Sequence, residues 1–148
     1  MDTRAKIIDS AGKLLLCWFL FESIHFLYSG RFMGLARMLP QFFQSRITLG
    51  LYVIYHMTIS TVGALAVVPL MLKGQNAGLI LGIAYCLSGH TVSPFDLILP
   101  AGSLLSAANE PTMLSKAADI IWLIFTLSLT ILFFLQRRAT RDTQTGNV

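Results

Sequence analysis

The chain predicts an all-α fold, an integral membrane four-helix bundle with an amphipathic interfacial segment and a partly inserted outer loop. Three observations predict it. Of 148 residues, 55% are apolar and only 12% are charged, too greasy a mixture for an ordinary soluble domain. The charged residues avoid the apolar runs, and mean hydropathy is +0.69, as lipid-facing helices require. Four apolar runs stand between polar breaks, giving spans at about 11–29, 47–72, 77–92 and 117–135 within a membrane domain of 1–136, followed by a polar cytoplasmic tail, 137–148.

The first span carries a basic start and a Leu-rich run that would suit a secretory signal. Glu22 and His25 interrupt that run and no small-residue cleavage site follows, so the segment reads as a retained helix. Glu22 and His25 stand three residues apart, which places them one turn apart on the same side of the helix. An ionisable pair inside a membrane span is a functional candidate by default.

Residues 30–46 differ in kind. Wound as a helix, Phe32, Leu35, Ala36, Leu39, Phe42 and Phe43 fall on one side, and Arg31, Gly34, Arg37, Gln41 and Gln44 on the other. This is an interfacial pattern. Arg31, Arg37 and Arg46, with no acid among them, suit lipid headgroup phosphates, and Pro40 is expected to kink the segment or restart it.

In the second span His56 lies near the middle, with Ser60, Gly63 and Ala64 following as a small, polar stripe that must face other helices. The third span repeats small residues at Gly74, Gly78 and Gly82, continuing through Cys86 to His90. Glycines at this interval let another backbone approach closely, so this ridge is a helix-packing surface. Residues 93–116 hold Pro94, Pro100 and Pro111 but also apolar stretches, and read as a re-entrant or interfacial lid. The fourth span is apolar beyond Asp119, with Thr126, Ser128 and Thr130 able to bond their own helix carbonyls. Its tail after Arg138 reads as polar and disordered.

Charge and motif content exclude several functions. The net charge of +4 comes from basic residues at the ends of apolar runs. They form no face interleaved with exposed aromatics, so the partners read as membrane lipids and not nucleic acid. Seven basic residues on the side of the termini, against four on the other, predict cytoplasmic termini. The localisation that follows is multi-pass, in a bacterial inner (plasma) membrane. Cys17 and Cys86 have neither Cys-x-x-Cys nor knuckle spacing, and read as reduced packing residues. Nucleophile-elbow, phosphate-loop, zinc-protease and dinucleotide motifs are all absent, and whether the chain is an enzyme stays open.

Depth counting at about 1.5 Å per residue places Glu22 roughly 13 Å in, His25 roughly 18 Å, His56 roughly 15 Å from the other face and His90 roughly 21 Å. In a core about 30 Å thick, these four form one intramembrane layer. Imidazoles with a carboxylate suit a transition metal, for which His25, His56 and His90 are the candidate ligands, and two facing histidines suit haem iron. The same groups could relay protons or hydrogen-bond a quinone. A plainer alternative keeps Glu22 neutral or paired with His25, while the other histidines bond hydroxyls and carbonyls across helices.

The first span ends in Phe26-Leu27-Tyr28-Ser29-Gly30-Arg31 before an amphipathic connector. Val62-Gly63-Ala64 then leads to a Lys73-Gly74 turn and a glycine-rich third span. Over residues up to about 92, this layout resembles the DoxX-like family of small four-helix membrane proteins. The resemblance implies a redox-associated or quinone-linked membrane subunit. The expected function is therefore quinone binding or proton relay through the Glu/His layer. The alternatives are a non-catalytic partner that stabilises or inhibits another membrane protein through its glycine ridge, and a haem or metal carrier.

Overall fold

The computed structural model describes residues 2–88 and 113–145, and within them the chain is all-helical. The elements are α1 (Thr3–Tyr28), α2 (Arg31–Ser45), α3 (Ile47–Thr58), a π-helical turn (Ile59–Gly63), α4 (Ala64–Leu72), α5 (Asn76–Leu87) and α6 (Met113–Thr145). Two helical stretches are long and apolar enough to cross a membrane, Ile47–Leu72 and Ala117–Thr145; Asn76–Leu87 is a shorter apolar helix. The expected lid, residues 93–116, lies outside the described residues except for 113–116, which open α6, and His90, expected in the third span, also lies outside them.

The core is built where α1, α4, α5 and α6 meet. Leu15, Leu16 and Phe19 of α1 pack with Val67 and Met71 of α4, Tyr85 and Cys86 of α5, and Phe133 and Phe134 of α6. The spacing of the α1 residues, continued by Glu22, Ser23 and Phe26, is the buried stripe of that helix. Helix α2 has no buried residue and lies against α3 and α1. Its aromatic side is half covered while Arg31, Gly34, Arg37, Gln41 and Gln44 are exposed, as the amphipathic pattern predicts. It runs unbroken through Pro40.

Three boundaries differ from the sequence reading. Helix α1 begins at Thr3, and Asp9 within its early turns is ion-paired with both Lys13 and Arg137, each at 2.8 Å. The second span is not one regular helix. The Ser60 and Thr61 hydroxyls bond back to the His56 and Met57 carbonyls, each at 2.6 Å, and such back-bonding loosens the ladder where the π-turn forms. The polar tail is helical as far as Thr145. No Gly or Pro interrupts it, and the Thr140, Thr143 and Thr145 hydroxyls bond carbonyls one turn back.

The α4–α5 turn depends on Gly74, at φ 62°. A Cβ there would lie 3.2 Å from the Arg137 carbonyl carbon and the Arg138 nitrogen. Gly74→Ala is expected to cost about 1–2 kcal/mol from the left-handed backbone alone, read as a lowered Tm in detergent.

Candidate functional site

The centre of the molecule holds one polar cluster. Glu22, 9% exposed, sits on the buried stripe of α1. The Trp18 indole N–H donates to Glu22 Oε1 at 2.6 Å, and the Tyr85 hydroxyl donates to Oε2 at 3.3 Å. That hydroxyl also lies 3.3 Å from the Phe19 carbonyl and 3.4 Å from Ser23 Oγ. It is therefore a junction that donates to one oxygen and accepts from the serine. The Phe19 and Tyr85 rings pack with centroids 4.7 Å apart, sealing the cluster.

Small residues on α5 bring Tyr85 this close. A Cβ on Gly78 would meet the α4 backbone, and one on Gly82 would meet Thr130 of α6 at 3.1 Å. The ridge is filled from within the chain. A partner helix would have to displace α4 or α6 to use Gly78 or Gly82, and Gly74 stands in the turn against α6.

Glu22 and His25 do not share a face, contrary to the spacing argument. The buried stripe runs through Glu22, Ser23 and Phe26, which turns His25 outward, where it is exposed and stacked on Phe21 at 6.1 Å. Three residues advance a helix by about 300°, and that shortfall from a full turn decides which edge faces the core. Trp18 lies 5.6 Å from Phe21, so Trp18, Phe21 and His25 form an aromatic strip along α1 that meets the Glu22 site at Trp18.

His56 borders the same layer from α3. Its ring stands edge-on to Phe26 at 6.3 Å and is stacked on Tyr52 at 5.9 Å. Ser88, just past the end of α5, donates its hydroxyl to the Tyr85 carbonyl at 2.6 Å. The π-turn begins three residues beyond His56 and packs on α1 and α5. Among the described residues no three His, Cys, Asp or Glu side chains gather to hold a metal.

Arg31, Arg37 and Arg46 are all exposed. Arg46 is the extended residue between α2 and α3 and lines a shallow cavity of about 440 Å³ with Ser45, Thr48 and Tyr52. Both cysteines are free. Cys86 packs near the Thr130 hydroxyl at 3.9 Å, whereas Cys17 is exposed and is no packing residue.

Trp18, Ser23 and Tyr85 escaped the sequence reading. Trp18 was findable, since an indole four residues before a glutamate reaches it on a helix. Tyr85 was not, because its placement depends on how far the glycines let α5 rotate and close.

Among the described residues, fold and site together define an all-helical chain with two helices of membrane-crossing length and apolarity and a buried carboxyl–phenol pair at the helix junction. No protein family, curated protein or solved structure matches the chain.

Proposed function

We propose that the chain is a four-span membrane protein of the bacterial inner membrane, with cytoplasmic termini. In this reading it binds a quinone head group on the Trp18–Phe21–His25 strip and moves protons through Glu22 and Tyr85. The observation that carries the reading is the Glu22 carboxyl, held between an indole N–H and a phenol in an apolar core.

A buried carboxyl is a poor stabiliser beside a packed hydrophobe. Inside membranes such groups mark proton and ligand paths. Supporting the membrane placement, α6 turns large apolar side chains outward, among them Ile121 at 66% and Ile124 at 58% exposure, a surface that water disfavours. Supporting four crossings, the start of α1, the α4–α5 turn and the polar end of α6 lie together. Gln136 Nε2 donates to the Ala5 carbonyl at 2.6 Å, Arg137 pairs with Asp9, and Arg138 Nη1 donates to Asn76 Oδ1 at 3.4 Å. Counting from that end, Glu22 and Tyr85 both stand about 13 Å deep, beyond Lys13 and Asn76 respectively. The DoxX-like resemblance adds the quinone expectation.

In this arrangement His25 and the aromatic strip would be the residues that hold the head group, His25 as hydrogen-bond donor, and Glu22, behind Trp18, would be the residue that takes up or releases a proton. Binding and proton supply are the whole of the proposed role.

A short-chain ubiquinone titrated into Trp122→Phe protein in nanodiscs, with Trp18 as reporter, should give saturable quenching. His25→Ala should weaken binding by about tenfold, the worth of one hydrogen bond. Linear, non-saturating quenching that is identical in the variant would sink the reading.

A further inference from the structure

We infer that the end of the molecule bearing the α4–α5 turn holds a separate binding site for a phosphate monoanion or diester. The ligand chemistry is that of an anionic phospholipid headgroup or a free phosphate.

A cavity of about 380 Å³ lies between the turn and the polar extension of α6, lined by Lys73, Gln75, Arg137, Thr140, Arg141 and Gln144, with Leu72 at its apolar edge. The four α6 residues recur at intervals of three and four, so one helix face presents two guanidinium groups, a hydroxyl and an amide. Three cations and three neutral hydrogen-bonding side chains converge, and no carboxylate lines the cavity.

The nearby acids point elsewhere. Asp9 is shared between Lys13 and Arg137, which leaves that trio net positive, and Asp142 approaches Arg138 at 4.0 Å. The site is also braced. Arg137 is pinned by Asp9 and lies over the Phe133 ring at 5.3 Å. Gly74 sets the turn against the Arg137–Arg138 backbone, and Asn76 accepts from Arg138 beside it.

Planar guanidinium forks match phosphate oxygens in pairs. A basic pocket between helices at the membrane surface suits an anionic headgroup. Leu72, 41% exposed at the edge, gives an acyl chain an apolar exit. That contact is the reason a lipid fits this pocket better than a free ion.

The test uses the full chain in detergent, by native mass spectrometry with phosphatidylglycerol or phosphatidylcholine. A parallel thermal-unfolding series compares inorganic phosphate with chloride at equal ionic strength. The expected result is one retained phosphatidylglycerol per chain in preference to phosphatidylcholine. Retention should fall about fivefold in Lys73→Gln and again in Arg141→Gln, at about one cation's worth each. A Tm raised by phosphate, with no phosphatidylglycerol preference, would assign the site to free phosphate. Equal retention of both lipids with no phosphate effect overturns the inference, as does retention unaltered in Lys73→Gln and Arg141→Gln. Both substituted side chains lie on the polar end outside the core, and Glu22→Gln should leave this binding intact whatever it does to quinone.

Discussion

Gly78→Ala is expected to destabilise the protein by about 1–3 kcal/mol, the usual cost of forcing atoms into a packed site, and Gly78→Leu by more. A Cβ at this position would lie 2.7 Å from both the Leu70 carbonyl carbon and the Met71 nitrogen. These are backbone atoms of α4, so no rotamer change relieves the contact and α5 must move away as a body. That movement would draw Tyr85 off Glu22. A Cβ on Gly34, in α2, would meet nothing within 4 Å. There alanine should be neutral or stabilise by about 0.5–1 kcal/mol through helix propensity. Thermal unfolding of the two variants in the same detergent checks both, and equal Tm values would contradict the packing described for α4 and α5.

The second large effect is at Tyr85, which is fully buried. Tyr85→Ala removes a ring that packs on Phe19 and opens a cavity, a change worth about 3–5 kcal/mol. Tyr85→Phe keeps the ring and removes only the hydroxyl that donates to Glu22. Its expected cost is about 1–3 kcal/mol, because a buried acceptor loses a donor. Adding Glu22→Leu to Tyr85→Phe should therefore cost less than the two single changes predict, with a coupling of about 0.5–3 kcal/mol for groups in one network. Strict additivity in denaturant unfolding would mean that the two side chains do not act as a pair.

How much could be read in advance varies by element. The amphipathic character of α2 was legible because a surface helix needs only its own period, and Phe32, Leu35 and Phe42 declare it. The hydroxyls of Thr126 and Thr130 were legible too, since they bond carbonyls of their own helix at 3.0 and 2.7 Å. Glu22 stands out in the sequence as a carboxyl in an apolar run, and the structure gives it Trp18 and not His25 as its neighbour on α1. Spacing alone gives His25 and Trp18 similar claims on it. The rotation of α1, set by Leu15, Phe19 and Phe26 seeking the core, excludes the first and selects the second. Tyr85 lay beyond reach because it arrives from another helix. The π-turn beside His56 was hidden for a different reason, because back-bonding hydroxyls are common in apolar helices and only some loosen the ladder. The extension of α6 was misread because polar composition alone does not end a helix when no breaker stands before Gly146.

The most direct test of a proton-handling Glu22–Tyr85 pair is the infrared difference spectrum between quinone-bound and quinone-free protein. A change in a carboxyl C=O band is expected, absent in Glu22→Gln and shifted in frequency in Tyr85→Phe. A spectrum with no carboxyl change on quinone binding, or with the same band retained in Glu22→Gln, would contradict proton handling by this pair.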